Sequence, residues 1–158
     1  MAEAFKASGF TINGEEVSSA DINLEGGLGL WDDLVIRKAE GELDYAMCAN
    51  STNALGCLAA SESAGRTDYK VLGIDDEADQ LAALTKENSI YYATVAQNPF
   101  EIGVQTIEAA VHAVEGQDDG IVKVDGILVT RDTVQEYVAN REKSLEELKD
   151  YLAIITAS

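Results

Sequence analysis

Basic residues are scarce in this chain: 11 lysines and arginines face 29 aspartates and glutamates, for a formal net charge of −18 over 158 residues. So acidic a composition argues against a direct nucleic-acid role, because phosphate contacts need a basic face. It reads instead as a well-solvated anionic surface. Long apolar runs are missing as well. No stretch of about 18 apolar residues occurs, so nothing reads as a membrane-spanning helix. The opening Met1-Ala2-Glu3-Ala4-Phe5-Lys6 has neither the basic start nor the apolar core of a secretory signal. Removal of a leader from a longer parent would leave the same picture. Cysteine is limited to Cys48 and Cys57, with no further Cys or metal-spaced His nearby. Buried free thiols are expected, with a local disulfide as the alternative. The single histidine, His112, has no Ser, Cys or second His at useful spacing, so nucleophilic catalysis is not expected. No pair of carboxylates is arranged as a convincing acid and base either. The chain is read as a non-enzyme, and nothing in it points to a cofactor or a metal.

What is present is globular. Apolar residues make up 46% of the chain and charged residues 25%, and the length suits one domain with a core of its own. Short apolar runs alternate with longer helix-forming stretches. Ala2 to Ser8 reads as the end of a helix closed by Gly9. Phe10 to Ile12, or Val17 to Ile22, is the first strand, with a turn at Asn13-Gly14. Leu30, Trp31, Leu34 and Val35 space as a helix ending near Glu40-Gly41. Leu43 to Ala49 is a strand buried on both faces, and Ala54 to Ala64 is the helix after it, closed by Gly65-Arg66. Tyr69 to Ile74 is a strand, Glu77 to Lys86 a helix, and Ile90 to Ala96 a strand. Pro99 suits the first turn of a helix running to about Glu115-Gly116, with Ile102, Ile107, Ala110, Val111 and Val114 on its stripe. A last β segment covers Ile121 to Thr130, and Asp132-Thr133 caps a long helix carrying Val134, Tyr137, Val138, Leu145, Leu148 and Leu152. This alternation fits βα units with right-handed crossovers, so the fold class is α/β with a mainly parallel sheet.

Gly26, Gly27 and Gly29 do not complete a dinucleotide-binding loop. The Gly-x-Gly-x-x-Gly spacing fails at Asp32, and no clean strand precedes them. The candidate site lies elsewhere. In open α/β sheets ligands sit beyond the carboxyl ends of the strands. Three such ends turn polar here: Ala49 into Asn50, Ile74 into Asp75-Asp76, and Ala96 into Gln97-Asn98. One carboxylate and two amides are suited to bidentate hydrogen bonding with a polyol. Asn50 and Asp75 can equally be read as caps of the helices that follow them.

These same residues carry a resemblance. Ala49-Asn50-Ser51-Thr52-Asn53-Ala54-Leu55-Gly56, Ala64-Gly65-Arg66, Val71-Leu72-Gly73-Ile74-Asp75 and Ala93-Thr94-Val95-Ala96-Gln97-Asn98-Pro99 occur in the order found in the second half of type 1 periplasmic sugar-binding proteins. The ribose-binding group is the most similar, and Leu128-Val129-Thr130-Arg131-Asp132-Thr133-Val134 resembles the segment closing many such chains. The resemblance implies one three-layer α/β lobe over residues 1–132, plus an extra C-terminal helix over 133–158 that packs on the lobe or on a partner. It implies a solute-binding module of an ABC importer system, with Asn50, Asp75 and Gln97 at positions that hydrogen-bond a sugar or small polyol. The parent family is periplasmic or extracellular, with an ABC permease as the partner of the full-length protein. Two positions depart from the pattern: Met1 stands where the family has a sugar-binding arginine, and Ile22 replaces a stacking aromatic after Ala20-Asp21. In the family the helix starting at Pro99 packs against the other lobe. Without that lobe its stripe is left to fold back onto its own sheet, to be covered by the C-terminal helix from Thr133 to Leu152, or to pair with a second copy of this chain, and a homodimer or a missing first lobe is the expected partner. The alternative function is a dimerising structural or regulatory fragment with no ligand of its own.

Overall fold

The computed structural model describes residues 23–156, with Ala7 and Asp21 ahead of them. The helix end expected at Ala2 to Ser8 and the first strand expected at Phe10 to Ile12 or Val17 to Ile22 lie outside this stretch, as do Met1 and Ile22. Within it the elements run α1 (Leu24–Arg37), β1 (Tyr45–Met47), α2 (Ser51–Ser63), β2 (Lys70–Ile74), α3 (Ala78–Thr85), β3 (Tyr91–Ala96), α4 (Pro99–Val114), β4 (Ile127–Thr130) and α5 (Val134–Thr156). The strands form a four-stranded sheet in the order β1-β2-β3-β4. β1, β2 and β3 are parallel, and β4 returns antiparallel to β3. The fold is α/β with a mainly parallel sheet, as the alternation of elements implies. No helix among the described residues is long and apolar enough to cross a membrane.

One face of the sheet carries the core. Trp31, Leu34 and Val35 of α1, Ala54, Cys57 and Ala60 of α2, and Leu81 and Leu84 of α3 pack over Ala46, Val71, Tyr91 and Val129. Val134, in the first turn of α5, closes the same cluster. Alternation along β1, and along β3 once a bulge opposite Val71 and Leu72 has shifted its register, leaves Tyr45, Met47, Tyr92 and Val95 exposed among the described residues. β1 is thus not the doubly buried strand expected over Leu43 to Ala49. It pairs over three residues, and only Ala46 of them is buried.

Helix α1 begins six residues before the expected Leu30, because Asn23 accepts a hydrogen bond from the Gly26 N–H at 2.8 Å and caps it. Gly27 inside it serves packing. A Cβ on Gly56 of α2 would lie 2.6 Å from the backbone of Gly27 and Leu28, and one on Gly27 would lie 2.9 Å from the Thr52 carbonyl oxygen. The two helices meet backbone to backbone at this crossing. The far ends of α1 and α3 are closed by arginines. Arg66 donates to the Val35, Lys38 and Ala39 carbonyls at 2.7–3.2 Å while paired with Asp68. Arg131 does the same for α3, donating to Leu84 and Ser89 at 3.1 Å.

Strand β4 is shorter than the expected Ile121 to Thr130, since only Ile127 to Thr130 pairs with β3. Helix α4 forms where Pro99 predicts it, but it buries none of its residues. Phe100, Ile107, Val111 and Val114 of its apolar stripe are all exposed.

Candidate functional site

Each parallel strand delivers one candidate side chain at its carboxyl end. Asn50 follows β1 in extended conformation and caps α2: its Oδ1 accepts from the Asn53 N–H at 2.9 Å and from the Thr52 hydroxyl at 3.0 Å. Among the described residues, its Nδ2 has no hydrogen-bond partner. The capping role therefore occupies the oxygen of Asn50 and leaves a donor for another group.

Asp75 is the centre of the arrangement. Its Oδ2 accepts from the Ser51 N–H at 3.0 Å, at the start of α2, where the helix dipole favours a negative charge. Its Oδ1 accepts from the Gln97 side-chain amide at the end of β3. One carboxylate thus joins the ends of all three parallel strands. Asp75 and Gln97 are in direct contact, whereas Asn50 joins them through its neighbour Ser51. Asn50 and Asp75 are half-buried and Gln97 is exposed.

The backbone at Asp75 is unusual. Its φ is +81°, the left-handed region that side-chain-bearing residues rarely adopt. Three hydrogen bonds fix the peptide groups around it. The Asp75 N–H donates to the Val95 carbonyl at 3.0 Å. The Thr94 hydroxyl donates to the Asp75 carbonyl at 2.6 Å. Gln80 Nε2 donates to the Ile74 carbonyl at 2.9 Å, and to the Tyr91 hydroxyl at 2.9 Å. Thr94 and Gln80 are buried. Burial and the loss of water raise the Tyr91 phenol above its ordinary value. Neither Thr94 nor Gln80 stands out in the sequence as a site residue. A hydroxyl in the middle of the apolar run Ala93 to Ala96 is the one signal available for Thr94.

Asp76, next in the chain, anchors α5. The Tyr137 hydroxyl donates to its carboxylate at 2.6 Å, and Arg141 donates to the same carboxylate at 3.1 Å and to the Asp76 carbonyl at 2.8 Å. Burial, then the bond to Asp76, pushes the Tyr137 phenol up to about 12. A groove of about 420 Å³ opens beside this latch, between α5, β4 and the start of α4, with Phe100, Ile127 and Leu145 among its apolar walls. The groove flanks Asp75 and Gln97 and is not lined by them.

The remaining candidates are structural. Cys48 and Cys57 are both buried and unpaired, and Cys57 together with burial raises the Cys48 thiol well above its ordinary value. His112 pairs with Asp119 at 2.7 Å on the exposed far end of α4. Trp31 is a core residue.

Comparison with known proteins adds a family and a fold. The family model described as the periplasmic binding protein domain matches residues 1–118. The ribose import binding protein RbsB of Salmonella typhimurium is 32% identical over 98 residues, which cover 62% of this chain and 32% of that protein. Its Escherichia coli counterpart is 31% identical over the same length. Among solved structures, an ABC transporter solute binding protein from Agrobacterium vitis with bound allitol aligns with a TM-score of 0.72 at 24% identity, over 82% of this chain and 45% of that one. One from Bacillus halodurans with bound myo-inositol aligns with a TM-score of 0.63 at 30% identity, over 76% of this chain and 41% of that one. The chain spans about a third of the length of the curated relatives it matches.

Proposed function

Since the chain belongs to the periplasmic binding protein domain family, we propose that it is a solute-binding module presenting half of a site for a sugar or small polyol, with Asn50, Asp75 and Gln97 as its ligand-binding side chains. The observation that carries this reading is the Asp75 carboxylate, which joins the start of α2 to Gln97 at the open ends of three parallel strands. A polyol hydroxyl can donate to this carboxylate and accept from the Asn50 or Gln97 amide, so one ligand can engage acceptor and donors together. The similarity to a ribose import binding protein and to a solute binding protein with bound myo-inositol supports the same ligand class. A single lobe leaves its ligand half wet, so affinity alone is weak, in the millimolar range, worth about 4 kcal/mol. Together with a first lobe, such a module would work outside the cytoplasmic membrane and hand its ligand to an ABC permease.

The test is calorimetric titration of the 158-residue chain with D-ribose, myo-inositol and a panel of pentoses and hexoses. Saturable heat that disappears in Asp75→Ala supports the reading. A flat titration of folded protein up to tens of millimolar ligand refutes it. The bare face of α4 favours a second reading, in which the chain is a dimerising fragment or pairs with a separate first lobe. Sedimentation equilibrium decides between them: a dimer that Ile107→Asp and Val111→Glu dissociate, with no sugar heat, carries that alternative.

A further inference from the structure

Asp75 holds a conformation that its own residue type disfavours, and the structure shows what opposes the strain. A non-glycine residue at φ +81° sits in a disfavoured region and persists there only when its surroundings over-determine it. Two of the three hydrogen bonds that fix Asp75 and its preceding carbonyl come from buried side chains. Gln80 is shared with Tyr91 and with the Glu77 N–H at the start of α3, so its work is divided. The Thr94 hydroxyl also lies beside the Tyr91 phenol, but its donation goes to Asp75 itself. It donates at 2.6 Å to the carbonyl of the strained residue, from the strand position opposite Gly73.

We propose that Thr94 is a positioning residue for the ligand site: its hydroxyl holds Asp75 in the left-handed conformation and thereby aims the carboxylate at the Ser51 N–H and Gln97. The proposal rests on the sugar-binding reading for its functional meaning, but its geometric content stands without any ligand. If the hydroxyl is removed, the Asp75 carbonyl loses its only side-chain donor among the described residues. The backbone is then released toward the ordinary β region, and the carboxylate swings away from the start of α2. A merely structural Thr94 would lower stability and leave the direction of the carboxylate unchanged.

The test compares Thr94→Val, which keeps the shape and removes the hydroxyl, with Thr94→Ser, which keeps the hydroxyl. In the 158-residue wild-type chain the Ser51 amide resonance should move with acid titration of the carboxylate it donates to, and Asp75→Asn should abolish that movement. The proposal expects the movement to be lost in Thr94→Val and retained in Thr94→Ser. In the calorimetric arm, D-ribose or myo-inositol affinity should fall on the order of tenfold in Thr94→Val, the scale of one lost buried hydrogen bond, and recover in Thr94→Ser. A folded Thr94→Val in which the Ser51 amide still follows the titration overturns the proposal. A wild type that binds none of the probes sinks the sugar reading, and the amide arm then decides the positioning claim alone. If Thr94→Val does not fold, the variant is combined with Asp75→Gly, where a left-handed φ carries no strain. Recovery of folding in that pair supports the proposal, and failure in both backgrounds overturns it.

Discussion

Replacing Gly73 by alanine is the sharpest probe of how β2 is fitted to β3 just before the candidate site. A Cβ there would stand 2.2 Å from the Tyr91 hydroxyl oxygen, 3.1 Å from the Cζ beside it and 3.3 Å from Gln80 Nε2. Heavy atoms in contact settle near 3.5 Å, so the phenol would have to retreat by roughly an ångström. Tyr91 is fully buried, and any retreat strains or breaks its 2.9 Å hydrogen bond from Gln80. Overpacking costs about 1–3 kcal/mol and a lost buried hydrogen bond about 1 kcal/mol, for a total of about 2–4 kcal/mol. In a chain of this length that lowers Tm by roughly 10 °C. Urea and thermal unfolding followed by circular dichroism measure both. The decisive arm is Tyr91→Phe. Alone it should cost about 1 kcal/mol, because Gln80 keeps its bond to the Ile74 carbonyl. In the Gly73→Ala background it removes the atom at 2.2 Å and should return about 1–2 kcal/mol. Strict additivity of the two substitutions would refute the reasoning.

Further outcomes follow from other contacts. Gly56→Ala places a methyl group 2.6 Å from the backbone of Gly27 and Leu28, where no side chain can yield, and should cost about 3 kcal/mol in urea unfolding. Arg66, then the Gly41 N–H, holds the Asp68 carboxyl well below the usual carboxylate range. Its contribution is present above the unfolded value near pH 4 and is lost as pH falls below it. Asp68→Asn should therefore be less stable than wild type at pH 7, with the gap closing in acid. The Tyr137 phenol is pushed the other way, up to about 12. Its bond to Asp76 stabilises fully below about pH 10 and fades as pH rises toward 12, so the stability deficit of Tyr137→Phe should be constant to about pH 10 and shrink above it.

The sequence exposes most of this fold because apolar periodicity changes visibly from strand to helix, as at Val71-Leu72-Gly73-Ile74 followed by Ala78 to Thr85. Asn50, Asp75 and Gln97 are legible for the same reason: each is the first polar residue after an apolar strand. What stays hidden depends on residues far apart in the chain. Gly73 is needed because of Tyr91, and Gly27 because of Gly56. In the sequence these glycines read only as breaks, which is why α1 is expected six residues late. Arg66 and Arg131 stand out in the motifs of the resemblance, yet their work as closures of α1 and α3 appears only when those helix ends come beside them. The left-handed Asp75 is likewise invisible, since a long-range donor from β3 fixes it. The antiparallel return and short ladder of β4 escape a reading based on apolar runs, because Ile121 to Val124 is as apolar as the paired stretch.

The arginines at the helix ends have a consequence for the medium in which this protein is comfortable. Arg131 gives its hydrogen bonds to main-chain carbonyls and Arg66 divides its own between carbonyls and Asp68, so these two of the 11 cationic residues offer nothing to most of the 29 acidic groups, which outnumber the cations in any case. The outer carboxylates must then find their counter-ions in solution, and dissolved cations become part of what keeps the fold from pushing itself apart. Dilution into low-ionic-strength buffer should loosen the chain, and added sodium chloride should raise its melting point, the reverse of what a fold knitted by surface ion pairs would show.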